Sequence, residues 1–264
     1  MSRARPLRAP LLLCAALAAY APAGAQDMLR NVDLDQPAYS QAEFTRADIE
    51  ARLAAAKTGE KLDLSGRSLN GLDLSGLDLS GVSLRAARLV KTRLAGAKLD
   101  GAILDQAWLL EADLSGASLR GAHVFAAQLQ RARAEGADFS QSRLAADLSG
   151  ADLRGASFRG ANLSADMKNQ SMGLMRAVLR SARLDGARFD GADLSRADLR
   201  YARAPGAVFD KASLRDADAA GADFTGARFE GASAEGLSLD SARIDRSAAA
   251  TLKGAADLDR AFLQ

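Results

Sequence analysis

From Leu64 onward an apolar residue returns at every fifth position: Leu64, Leu69, Leu74, Leu79, Leu84, Leu89, Leu94, Leu99, Leu104 and so on to Leu144. Of these 17 centres, 15 are Leu or Phe, with Val124 and Ala134 the exceptions. One residue is then dropped and the series runs Leu148, Leu153, Phe158, Leu163. It resumes at Leu174, and of the 14 centres from Leu179 to Ile244, 11 are Leu, Phe or Ile. Ala stands two places before 13 of those 14, with Leu237 the departure. A period of five fits neither a helix at about 3.6 residues per turn nor a strand that alternates at every second residue. A helix would smear the centres over every face. The pattern is that of an internal repeat with a five-residue unit, and a helix is excluded over its length.

Segments such as Ala-Asp-Leu-Ser-Gly at Ala112–Gly116 and Ala-Asp-Leu-Arg-Gly at Ala151–Gly155 resemble the pentapeptide-repeat family, whose unit is Ala-(Asp/Asn)-Leu followed by two variable residues. The resemblance spans residues 62–246 and implies an all-β solenoid, a right-handed quadrilateral β-helix with four pentads per coil. The centre and the residue two before it would point inward, the other three outward. Twenty residues per coil gives about nine coils between Leu64 and Ile244, a shaft of roughly 43 Å at about 4.8 Å per stacked strand. Residues twenty apart then stack, so Phe189, Phe209 and Phe229 form an internal aromatic column. Two departures stand out. Arg or Lys replaces Asp before the centre at Arg88, Arg93, Lys98, Arg183 and Arg188, and Arg67 takes an inward position, which implies an open first turn.

A solenoid exposes backbone edges at both ends and needs them covered. Thr45 with Asp48 makes a capping-box start, with Phe44 and Ile49 placed as a hydrophobic staple. The spacing predicts an N-terminal capping helix over 46–57 that stops near Gly59 and lays Ile49, Leu53 and Ala56 on the first coil, with Arg52 beside them. Residues 26–43 read as a linker or partial first turn, so 26–61 forms the linker and helix. Residues 247–264 lose the period, and Leu252, Leu258, Phe262 and Leu263 suit a short helical C-terminal cap or a homodimer contact, as C-terminal elements provide in some family members.

The first 25 residues carry a different signature. Arg3, Arg5 and Arg8 precede the apolar run Leu11–Ala19, and Ala23-Gly24-Ala25 fits a signal-peptidase site, so residues 1–25 read as a signal peptide cleaved after Ala25. Leu13 before Cys14 does not suit lipoprotein processing. The expected location is periplasmic or secreted. Cleavage removes three arginines and the single Cys, turning the formal charge of +2 into −1. A nearly neutral chain gives no charge argument for nucleic acid, and no apolar stretch reaches the roughly 18 residues of a membrane span. The composition, 48% apolar with 59 Ala and only 5% aromatic, excludes a disordered chain and suits a narrow, regular core.

Candidate chemistry is sparse, and neither enzyme activity nor a cofactor is expected. His123, the single His, sits outward before Val124, and Ser75, Ser80 and Ser115 occupy corners with no base beside them. Three features rise above the repeat. Residues 164–173 interrupt it; the flanking centres, Leu163 and Leu174, lie 11 apart, which restores the register lost at Leu148 while a short loop bulges. Lys168, Asn169 and Gln170 on that loop are candidate partner contacts. Met167, Met172 and Met175 gather there as weak candidates for Cu(I), a soft ion, although Met172 is expected inward and Met175 outward. Finally, Val90 and Leu110, twenty apart, with Ile103, Trp108 and Phe125 nearby, read as an outward apolar patch for an unidentified protein partner, with Arg88 placed to lie over the Trp108 indole. The acidic ladder Asp190, Asp210, Glu230 has Arg188 and Arg228 beside it and reads as internally neutralised. The predicted function is a non-enzymatic exported interaction scaffold. The alternatives are a DNA-shaped topoisomerase-binding mimic, as the resemblance allows, or a periplasmic copper binder.

Overall fold

Each pentad of the repeat is a closed local unit. The residue before the centre bridges its counterpart in the neighbouring coils, and the backbone then turns. The bridges are parallel and link residues twenty apart: Asp63 to Ser83, Ser68 to Arg88, Asp73 to Arg93 and Asp78 to Lys98, and so onward. Four sides therefore make one coil. Between coils the Leu64 N–H donates to the Ser83 carbonyl at 2.8 Å and the Ser83 N–H to Leu62 at 2.9 Å; within a corner the Arg67 N–H donates to Leu64 at 3.1 Å. This accounts for the backbone groups that a turn every five residues would otherwise strand. At the regular corners the second residue after the centre takes a left-handed conformation, which glycine adopts freely: φ is 63° at Gly101 and 63° at Gly121. Ala126 takes the same place at 55° without that freedom.

The computed structural model describes residues 33–56, 61–165 and 175–264, and Leu34–Gln264 belong to one unit. The expected leader, 1–25, and the expected helix end at Lys57 and Gly59 lie outside the described residues. The described centres from Leu64 to Ile244 are buried, as is the Ala two places before most of them. The expected stack of Phe189, Phe209 and Phe229 is present and extends further, through Phe139 and Phe158. Successive ring centroids are 5.0, 4.7, 4.8 and 5.0 Å apart with interplanar angles of 6° or less. That separation follows from the spacing of neighbouring strands, about 4.8 Å, which leaves parallel rings as the packing that fits. Phe224, on the adjoining side, meets Phe209 and Phe229 edge-on at 5.6 and 5.4 Å.

The two irregularities are absorbed separately. Gln128 bridges Asp147, so that coil has nineteen residues; its shortened corner carries the buried pair Ala145 and Ala146. Asp147, Asp152, Ser157 and Asn162 then bridge Val178, Arg183, Arg188 and Asp193, each thirty-one residues on. The Ala177 N–H donates to the Leu163 carbonyl at 3.3 Å, the bond that closes every ordinary corner. The side after Leu163 is therefore that of Leu179, which corrects the expectation that the series resumes at Leu174. The eleven surplus residues all fall between Ala165 and Ala177. Because each corner closes on itself, the deletion near Leu148 needs no later compensation.

At the N-terminal end a short helix, α1 (Pro37–Ser40), precedes α2 (Arg46–Ala55). Thr45 and Asp48 form the reciprocal capping box, which also lowers the Asp48 pKa, chiefly through the backbone N–H of Thr45. Ile49 is fully buried, Leu53 and Phe44 pack against the core, and the Arg52 guanidinium lies 4.6 Å over the Phe44 ring. Arg67 is exposed and pairs with Glu43 at 3.6 Å instead of entering the shaft, so the first turn is splayed there. Leu62, Leu72 and Leu77, partly buried, line the same widened end.

The far end departs from the expected helical cap. α3 (Arg246–Ala249) is one turn long, Leu252 closes the shaft, and a 3-10 turn at Leu258–Arg260 leads into a strand. Numbering strands in chain order, β1 (Asp223–Phe224) pairs in parallel with β2 (Arg243–Ile244), and β2 with β3 (Phe262–Leu263). The chain returns to the ladder because Phe262 and Leu263 supply one more pair of extended residues in register with Arg243 and Ile244.

Candidate interaction surfaces

Val90 and Leu110, expected on the outside, are buried: Val90 is 0% and Leu110 3% exposed. They occupy corners of one side, where the pentad rule alone leaves them open. The Val90 N–H donates to Asn70 Oδ1 at 2.9 Å. The chain's own residues 35–43 meet this side of the shaft. Asp35 pairs with Lys91 at 2.7 Å, and the Tyr39 ring stacks on Trp108 with centroids 6.0 Å apart and planes 14° apart. Ser68 Oγ donates to the Gln41 carbonyl, the Glu43 N–H donates to the Ser68 carbonyl at 2.8 Å, and Ala42 makes an antiparallel bridge with Leu69. Arg88, expected over the indole, reaches Glu43 at 3.5 Å, and Tyr39 takes its place on Trp108. The patch of Val90, Trp108 and Leu110 is thus not open surface. Ile103 and Phe125 are partly buried, with Arg143 5.6 Å over the Phe125 ring. Asp35, Tyr39 and Glu43 fell in a stretch read as linker. Their four-residue spacing was the signal available in the sequence.

Lys168, Asn169, Gln170, Met167 and Met172 lie outside the described residues, and Met175 is half-buried. No group of three His, Cys, Asp or Glu that could hold a metal occurs among the described residues, and none of their helices is long and apolar enough to cross a membrane. His123 is exposed, bridged between Ile103 and Arg143. The corner serines close Asx turns: the Ser75, Ser80 and Ser115 N–H groups each donate to the carboxylate two residues earlier at 3.1 Å.

Four of the arginines before a centre have partners one coil away. Arg93 pairs with Asp73 at 3.0 Å, Arg133 with Asp113 at 2.8 Å, Arg183 with Asp152 at 3.2 Å and Arg243 with Asp223 at 3.7 Å. All eight stand on one side of the shaft. On another, Arg188 holds Asp190 at 2.8 Å and Arg228 holds Asp210, so the acidic ladder is neutralised within the chain. Among the described residues the most buried carboxylate is Asp198, 1% exposed and held by Arg180 and Arg200, with Arg176 at 3.7 Å. Burial pushes its pKa up, but hydrogen bonds from Arg200 and Arg180 outweigh this and bring it down to about 2. Arg176 and Arg180 flank the return of the chain after its eleven-residue surplus. Asp198 therefore anchors that return, a role that its place in an ordinary Ala-Asp-Leu pentad conceals.

The family model for pentapeptide repeats matches eight copies, running between residues 62 and 165 and again between 174 and 246. The chain is a pentapeptide-repeat protein. The family's fold is a right-handed β-helix solenoid, in keeping with the bridges and corners above. Among solved structures, this pentapeptide-repeat protein is similar to HetL, involved in heterocyst differentiation regulation in the cyanobacterium Nostoc sp. strain PCC 7120, with 29% identity over 83% of this chain and 92% of that one, at a TM-score of 0.45. It also matches QnrB1, a plasmid-mediated fluoroquinolone resistance protein, with 22% identity, 71% and 91% of the two chains covered and a TM-score of 0.33. A pentapeptide-repeat protein of the Arabidopsis thaliana thylakoid lumen matches with 24% identity, 56% and 74% coverage and a TM-score of 0.17. None of the curated proteins matches.

Proposed function

We propose that this pentapeptide-repeat protein is an exported, non-enzymatic scaffold that presents its shaft to a protein partner. The observation that carries the reading is the consumption of surface charge within the chain: the arginine–aspartate pairs leave sides of low net charge. A DNA mimic needs a strongly acidic face, so the topoisomerase-binding alternative loses its electrostatic basis. Export after cleavage behind Ala25 would also keep the protein from any cytoplasmic target. In this reading a shaft of about nine coils is closed at one end by α2. At the other, β3 leaves Phe262 64% and Leu263 39% exposed on an unpaired edge, which supports self-association there.

Cell fractionation tests the location: recovery of the mature protein in the cytoplasm would overturn export and reopen the mimic. Affinity capture from periplasm, followed by reconstitution with the purified partner, tests the scaffold reading, which fails if no captured protein binds directly. Sedimentation of Phe262→Ser with Leu263→Ser tests the end contact, which predicts a shift from dimer to monomer. Copper titration of the mature protein tests the methionine alternative.

A further inference from the structure

Residues 35–43 contact the shaft as a ligand contacts a receptor. Asp35, Tyr39 and Glu43 are four residues apart, and each meets a matching group on the body: Lys91 at 2.7 Å, the Trp108 ring at 6.0 Å, and Arg88 and Arg67 at 3.5 and 3.6 Å. Between the last two anchors, Ala42 pairs with Leu69 in an antiparallel bridge, whereas the coils pair with one another in parallel. Among the described residues no coil precedes the first, and where α2 does not cover it, on the side of Ser68 and Leu69, its edge takes up the added segment. We propose that this groove is a peptide-docking site for a partner segment bearing an aromatic side chain with a carboxylate four residues away on each side, and that residues 35–43 are its resident occupant. The proposal rests on the scaffold reading and names the surface that the scaffold uses.

The chemistry selects that partner. Lys91, Arg67 and Arg88 favour carboxylates, and none of them is buried. The indole offers a flat apolar face that an aromatic ring covers with little loss of side-chain freedom. Asp35 is itself 85% exposed, and ion pairs at such sites are individually weak. The resident segment adds to these contacts its tether to α2, which gives it a high effective concentration. A partner segment carried at high local concentration, or joined to further contacts on the shaft, competes on equal chemical terms.

Trp108 is the single Trp, so its fluorescence reports on the groove alone. In the full-length chain, Asp35→Ser with Tyr39→Ala should make the indole more accessible to acrylamide while circular dichroism stays unchanged. A synthetic peptide of residues 33–45 should then restore protection, and a scrambled peptide should not. Adding Lys91→Glu to that variant should weaken peptide binding by about two- to fivefold. Should the double variant fold poorly, Lys91→Glu alone in the full-length chain must still raise quenching. Unchanged quenching in these variants, equal binding of native and scrambled peptides, or indifference of binding to Lys91→Glu would overturn the docking site. A partner captured from periplasm and bound equally well by Lys91→Glu would leave the scaffold reading standing and place its surface elsewhere.

Discussion

Phe209 is the most connected ring of the internal column. It stacks on Phe189 at 4.8 Å and on Phe229 at 5.0 Å, and it meets Phe224 edge-on at 5.6 Å. With no exposed surface, Phe209→Ala removes a buried ring and leaves a void bounded by coils that hydrogen bonds hold at fixed spacing, so collapse into it is limited. Buried Phe truncations cost about 3–5 kcal/mol, and three ring contacts of about 0.5–1.5 kcal/mol each put this one near the upper end, about 5 kcal/mol. Phe209→Leu separates volume from stacking. Leu79, Leu99 and Leu119 already fill the corresponding places nearer the N-terminus, so Leu should fit and cost only about 1–2 kcal/mol. Equilibrium urea unfolding followed by far-UV circular dichroism reads both values, with slopes compared to detect a split transition in a chain whose coils touch only their neighbours. A loss below about 1 kcal/mol for Phe209→Ala, or equal losses for Ala and Leu, would refute the stacked column.

Three further outcomes are expected. Ser142 points inward and its buried Oγ has no hydrogen-bond partner, so Ser142→Ala should raise stability by about 1–2 kcal/mol, read as a higher urea midpoint. Ala126 sits at φ 55°, so Ala126→Gly should stabilise by about 0.5–1 kcal/mol, the reverse of what this exchange does in a helix; a lower midpoint would contradict the strained corner. The Asp198 carboxyl is held at about 2 against an ordinary 3.8, so it contributes about 2 kcal/mol that is fully present above pH 4 and lost as the pH falls toward 2. Asp198→Asn should remove that part of the acid dependence, which urea titrations at pH 2.5 and pH 6 will show.

The inner structure was legible because a pentad decides locally which residues turn inward. Leu64, Leu69 and Phe209 needed only their own neighbours to be placed. The link from Phe139 through Phe158 to Phe189 was hidden by spacings of nineteen and thirty-one residues, which break the twenty-residue period. Val90 and Leu110 were misplaced for a different reason. Their burial comes from the fold beyond their own pentads, and the segment that meets their side of the shaft has no period to announce where it docks. Arg93 and Arg183 looked like departures from the repeat because their partners, Asp73 and Asp152, stand a full coil away.

The hydrogen bonds between coils run along the shaft, so a pull applied between its two ends loads them one coil at a time. Each twenty-residue coil that peels away should lengthen the chain by about 65 Å, taking roughly 3.4 Å per extended residue less the rise it gave up. The coil from Asp147 to Val178 holds thirty-one residues and should release about 100 Å. A force–extension trace would then show a series of near-equal steps broken by one long one, a mechanical signature of where along the shaft the unwinding front has arrived.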